Sequence, residues 1–147
     1  MIESLERVMK GMKEWQDNVE EIIIDLAKNE EILIEAMNTQ DQMYTQGIRA
    51  DGNDIRPKYT AFTKVIKRQK GQPTNRVTLR DTGAFHKSVG VKWGRKEFKL
   101  VAGDMKVIDL VRKYGPEILG LTQKNVGVLG GVIKPQAIKR FKKMING

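Results

Sequence analysis

Ser88-Val89-Gly90-Val91-Lys92-Trp93-Gly94-Arg95-Lys96-Glu97-Phe98-Lys99-Leu100-Val101-Ala102 is where the chain's hydrophobic period changes from helical spacing to two-residue alternation. Val89, Val91 and Trp93 fall on one face and Gly90 and Lys92 on the other, so one face of the first strand is read as buried. Gly94 to Glu97 joins it to a second strand, Phe98 to Ala102, which predicts an antiparallel β-hairpin. On its C-terminal side, Asp104 reads as the N-cap of a short helix with Val107, Leu110, Val111 and Tyr114, stopped by Gly115-Pro116. On its N-terminal side, Thr82 to Ser88 reads as one helical turn. A small sheet covered by helices defines an α+β class, with residues 81–122 as its core.

Long helical patterns flank that core. Leu5, Val8, Met12, Trp15, Val19, Ile22, Leu26, Leu33, Ala36 and Met43 alternate at three and four, predicting one long helix or two in tandem over residues 1–46. Asn29 on the seam, with Gly11 earlier, predicts a bend or break near Lys28-Asn29-Glu30. An unbroken helix of ~45 residues would extend ~65 Å, so part of this seam is a candidate for packing on another copy. The polar run Asn38 to Gln42 reads as the end of the helix. Residues 47–80 then read as an extended basic arm containing one short helix, Thr60 to Gln69. Asp51 to Arg76 has so little apolar content that it is expected to become ordered on a neighbouring subunit. Residues 123–147 read as a glycine-loosened connector, Val126 to Ile133, followed by a basic helix opened by Pro135. The whole is read as a single domain, 1–147.

The charge is strongly partitioned. The 147 residues carry a net charge of +9, from 27 Lys and Arg against 18 Asp and Glu. Residues 1–36 hold ten acids and four bases, leaving the rest of the chain markedly basic. Such a chain suits a polyanion partner, or subunits stacked with opposite charges facing. No cysteine and a single histidine exclude disulfides, thiolate metal sites, thiol nucleophiles and multi-histidine metal sites. No apolar run approaches a membrane span, and the acidic start lacks the features of a signal peptide, so a protein used without secretion is expected.

Asp81-Thr82-Gly83-Ala84 matches the active-site string of retroviral-type aspartic proteases, in which two such aspartates share a proton. Arg80 stands where an apolar residue is expected, Phe85-His86-Lys87 follows where a small polar residue is usual, and no later apolar-Gly-Arg segment supports the loop. Asp81 is therefore read as a helix cap and Gly83 as a point of close packing. The glycines from Gly127 to Gly131 lack the phosphate-loop spacing, because Pro135 follows Lys134. No catalytic, cofactor-binding or metal-binding residue is predicted. Lys64, Lys67, Arg68 and Lys70 form a basic cluster flanked by Tyr59 and Phe62, without the spacing of a sequence-specific nucleic-acid reader. Non-specific nucleic-acid binding is the alternative function.

Taken in order, Gln42, Gly47, Asp51-Gly52, Tyr59-Thr60, Thr63-Lys64, Gly71, Val77-Thr78-Leu79, Asp81-Thr82-Gly83, Phe85, Ser88 and Tyr114 to Thr122 form a series. Over about Asn38 to Thr122, this series resembles the tail-completion and neck proteins of tailed bacteriophages, including the Mu-type virion morphogenesis proteins. The resemblance implies a non-enzymatic α+β subunit without cofactor, forming a cyclic homo-oligomeric ring between portal-side neck proteins and tail proteins. It implies a virion protein made in the host cytoplasm, with no membrane partner and with non-specific contact with packaged DNA admitted. Arg49, Asp51, Arg56, Tyr59, Lys64, Lys67, Arg68 and Lys70 are the expected assembly contacts; Gly52, Asp81, Thr82, Gly83, Phe85 and Ser88 are the structural motif. Opposite-sign halves fit head-to-tail contacts that close into a ring.

Overall fold

The computed structural model describes residues 2–146. Helix α1, Ile2–Ala27, ends in a 3₁₀ turn, Lys28–Glu30, at the place where Asn29 predicts a break. Helix α2, Glu31–Ala36, continues directly into ten residues of π-helix, Met37–Gln46. The chain then forms α3 (Ala61–Gln69), α4 (Ala84–Ser88), β1 (Val89–Trp93), β2 (Phe98–Ala102), α5 (Val107–Tyr114), a 3₁₀ turn (Pro116–Ile118) and α6 (Gln123–Asn146). The two strands pair as one antiparallel hairpin, so the molecule is α+β as its alternation predicts.

The backbone forms two compact units. The first comprises Met1–Glu31, Trp93–Phe98 and Gly127–Gly147; the second comprises Ile32–Lys92 and Lys99–Val126. In the first unit, α1 meets the C-terminal part of α6. Trp15 and Phe141 stack edge to face at 5.3 Å, and Arg140 pairs with Asp25 at 3.0 Å. Gly11 is required there, because a Cβ would fall on the Met144 carbonyl oxygen and 2.8 Å from Ile145 Cα. The hairpin tip is fixed by Trp93 Nε1 donating to Glu31 at 3.0 Å and by Arg95 pairing with Glu21.

The second unit is built on Met43, Ile55, Val77, Leu79, Phe85, Tyr114 and Ile118, with Tyr59, Leu110 and Val111 packed against them. This corrects the reading of 47–80 as an arm outside the core. Ile55, Val77 and Leu79 lie within it, and the Tyr59 hydroxyl accepts the Thr78 N–H at 3.0 Å. Few apolar residues suffice because they are spaced at the ends of the loop: burying Ile55 and Val77 pins both of them. The core therefore begins before residue 81. Gly47, at φ +65°, ends the π-helix and approaches Arg76 so closely that a Cβ would lie 2.8 Å from the Arg76 Cβ.

Two other readings change. The run Asn38 to Gln42 does not end the helix. Asn38, Thr39 and Gln42 are buried within the π-helical segment, where side-chain amides satisfy carbonyls of the later chain. Nor is Val126 to Ile133 a loose connector: α6 is continuous from Gln123 and contains Pro135 internally. Asn125, Leu129 and Ile133 recur at spacing four and are all buried, which offsets glycine's cost of about 1 kcal/mol per helical position. Thr122 starts this helix, its hydroxyl accepting the Asn125 N–H at 3.2 Å.

Because Ile55 is fully buried, Ile55→Ala is expected to lower stability by about 2–4 kcal/mol in urea unfolding. A loss below about 0.5 kcal/mol would return the segment to the status of a dispensable arm.

Candidate functional site

The second unit contains a cavity of about 300 Å³, to which α3, the loop before α4, and α5 all contribute. Its apolar lining comes from core side chains, Tyr59, Val77, Leu79, Phe85 and Tyr114, with Leu110. Lys58, Lys67, Arg80, Lys106 and Lys113 line it as cations, against the carboxylates Asp81 and Asp104. An apolar floor with a mainly basic rim is complementary to a group that is apolar at its centre and anionic at its edge.

Each wall follows from local sequence chemistry. Thr60 caps α3 by accepting the Thr63 N–H at 3.2 Å, which starts the helix and brings Thr63 and Lys67 to the cavity. Lys67 lies over the Tyr59 ring at 4.8 Å and donates to Gln72 at 3.2 Å. Arg80 lies over Tyr44 at 5.1 Å. Asp104 accepts the Lys106 N–H at 2.8 Å and so helps to open α5, whose residues Leu110 and Lys113 continue the face begun by Lys106.

The Asp81-Thr82-Gly83 string lies at this cavity, with roles different from those expected. Asp81 does not cap α4. Its carboxylate accepts Lys70 Nζ at 2.9 Å and Gln72 Nε2 at 3.3 Å, while the Thr82 hydroxyl accepts the Ala84 N–H and Gly83, at φ +89°, precedes the helix. The lysine reaches Asp81 first because residues 70–72 return beside it. The hydrogen bonds from Lys70 and then Gln72 hold the Asp81 carboxyl below its ordinary range.

Six of the sequence-predicted residues thus meet at one cavity: Tyr59, Lys67, Asp81, Thr82, Gly83 and Phe85. Lys70 joins them through Asp81. Ser88 stays local, donating to the Phe85 carbonyl at 2.7 Å. Lys64 borders a separate depression with Asn75 and Arg76, while Arg56 and Arg68 are exposed. Arg49, Asp51 and Gly52 form a tight turn elsewhere, with Gly52 at φ +83° and Arg49 paired to Asp51 at 2.9 Å. There Glu117 shares a hydrogen bond with Asp51. Glu117 retains its proton to higher pH, and Asp51, helped by the Asn53 N–H, falls to about 2.

The polar residues that tie the unit together are mostly unmarked in the sequence. Gln42 Nε2 donates to the Gly120 carbonyl at 2.7 Å; its Oε1 accepts the Thr122 N–H at 2.9 Å and Asn125 Nδ2 at 2.8 Å. Asn38 Nδ2 donates to the Ile118 and Gly120 carbonyls at 3.1 and 2.8 Å. The available signal is spacing: Asn38 and Gln42 are four apart, one helical face, immediately before buried Met43.

His86 is buried, with Nε2 donating to the Thr78 carbonyl at 2.8 Å and Nδ1 without a protein partner. Among the described residues, no group of three histidine or carboxylate side chains is placed to hold a metal ion, and no helix is long and apolar enough to cross a membrane. Compared with protein-family models, curated proteins and solved structures, the chain matches none of them.

Asp81 and Lys70 are each half exposed, so their ion pair is screened, and Asp81→Ala is expected to cost less than about 1 kcal/mol in urea unfolding. A greater loss would restore a capping role. Burial, reinforced by Arg80, depresses the His86 pKa below its ordinary 6.5 against the opposing pull of the Thr78 carbonyl. The unfolded chain then takes up a proton near that pH that the folded chain refuses. This contribution to stability is present above the ordinary value of 6.5 and is lost as pH falls below it toward the depressed folded value. His86→Gln should flatten that part of the urea midpoint profile; an unchanged slope would contradict the assignment.

Proposed function

We propose that this chain is a structural virion protein of a tailed bacteriophage. It forms a ring in the neck, at the head–tail connector, or completes the top of the tail, and it acts through contacts rather than turnover. The observation that carries this reading is one of coincidence. The ordered residues of the phage resemblance run from about Asn38 to Thr122, almost the limits of the second compact unit, and they occupy its demanding positions. Gln42 ties the late chain, Gly47, Gly52, Gly71 and Gly83 take positive φ, Tyr59 supports Thr78, and Val77, Leu79, Phe85 and Tyr114 form the core. The series therefore behaves as the specification of one folding unit, which is what a family likeness requires.

The surface supports assembly. Leu5, Met9, Phe62, Met105 and Ile108 are all more than half exposed, which leaves apolar side chains on several elements for contacts between copies. On this reading the partners are further copies of the chain, portal-side neck proteins and tail proteins. A second reading, non-specific nucleic-acid binding, is favoured by α3, where Phe62 is 74% exposed among Lys64, Lys67 and Arg68.

Mass photometry of the purified chain, alone and with portal or tail partners at low and moderate salt, separates the two. The ring reading predicts a discrete closed oligomer of about six or twelve copies. A persistent monomer or dimer that binds DNA with steep salt dependence would overturn it in favour of the second reading.

A further inference from the structure

Residues 55–80 contain eight lysines and arginines and no aspartate or glutamate. Two of the eight are paired with the acids that bracket the run: Lys58 meets Asp54 and Lys70 meets Asp81, each at 2.9 Å. Arg56, Lys64, Lys67, Arg68, Arg76 and Arg80 make no ion pair among the described residues. Like charges gathered on one stretch repel one another, and a bound polyanion relieves that repulsion.

Arg76 is the most firmly placed of these cations. Its Nε donates to the Tyr44 carbonyl and its Nη1 to Asn75 Oδ1, both at 2.7 Å, while the guanidinium lies over the Tyr44 ring at 5.7 Å. Nη2 has no acceptor among the described residues. Half-buried and held from two sides, Arg76 lines a depression of about 250 Å³ with Lys58, Lys64, Thr74 and Asn75, and no carboxylate lines it. Arg80 lies over the same Tyr44 ring at 5.1 Å, so two guanidiniums without acid partners share one aromatic ring.

We infer that the Arg76 depression takes a backbone phosphate of nucleic acid, with Arg76 and Lys64 as charged donors and Thr74 and Asn75 as neutral ones. The nature of the polyanion rests on the nucleic-acid reading, but the site is distinct from the outward Phe62 face of α3 on which that reading stands. Repetition of charge selects this occupant. Arg80 beyond Tyr44, with Lys67 and Arg68 on α3, continues the unpaired cations past the depression, and a nucleic-acid strand presents a phosphate to each in turn. A free phosphate satisfies one cluster only. An α1 helix from another copy is a poorer match, because Lys10 and Lys13 stand among its acids. Contacts of this kind hold the strand in place without reading its sequence.

The test is fluorescence anisotropy of the full chain with a labelled DNA duplex of about 20 base pairs and arbitrary sequence, from about 50 to about 200 mM salt. Lys64→Gln and Arg76→Gln, each checked by circular dichroism, should each bind about tenfold more weakly and reduce the slope of log K against log salt by about 0.9. Arg76→Lys keeps the charge and should restore the slope. Lys92→Gln, exposed on β1, is the control and should change affinity by less than about twofold. Millimolar inorganic phosphate at constant ionic strength should leave the duplex bound.

If wild type binds the duplex and both glutamine variants keep its affinity and slope, the nucleic-acid reading stands and this site fails. If wild type does not bind the duplex at the lowest salt, the nucleic-acid reading fails and takes the proposed occupant with it. Displacement of the duplex by inorganic phosphate would overturn the proposal in favour of a site for the free anion.

Discussion

The buried amide of Gln42 is the constraint on which the second unit depends. It is fully buried and uses both ends: its NH₂ group satisfies Gly120, and its oxygen takes the Thr122 N–H and Asn125 Nδ2. Those partners lie about 80 residues away in sequence, so one side chain ties the start of the unit to its end. Asn38, one turn earlier, adds two bonds to the same strip of backbone. An unmade buried hydrogen bond costs about 1–3 kcal/mol, and Gln42→Leu would leave the Thr122 N–H without its acceptor. Polar groups at this depth also select one register, since a slip by one residue would separate all of them at once.

From that tie the remaining geometry follows in order. Gly120 and Thr122 are held, so Ile118 and Tyr114 reach the core and α5 is oriented; Thr122 then starts α6. Met43, one residue beyond Gln42, places the other end of the same core, and Gly47 turns the chain toward Ile55. The cavity is what remains between α3, the Asp81 loop and α5 once these contacts are made. Its basic rim is a consequence of sequence, because Lys106, Leu110 and Lys113 share one face of a helix that buries little except Tyr114.

Local patterns were readable where one interaction decides them. The hairpin limits, the short helix α3, the Gly115-Pro116 stop and the break at Lys28–Glu30 each depend on a few adjacent residues. Long-range partners were not. Asn38 to Gln42 has the composition of a helix end and becomes π-helix because carbonyls some 80 residues away accept from its amides. Asp81 has the residue type and spacing of a cap and is drawn away by Lys70. Ile55 is one apolar residue in a polar run, and its burial depends on Val77 and Leu79 arriving beside it. At the cavity, the residues of the Asp81 motif could be named in advance, whereas Lys106, Lys113 and Arg80 acquire meaning only through packing.

The most direct test of the account is amide hydrogen exchange at Thr122 in wild type and in Gln42→Leu. The account predicts that wild-type Thr122 exchanges as slowly as the buried, hydrogen-bonded amides of Ile55 and Thr78, and that the substitution accelerates it by about two orders of magnitude. Exchange at the rate of an open loop in wild type, or equal protection in the variant, would contradict the claim that Gln42 holds this unit together.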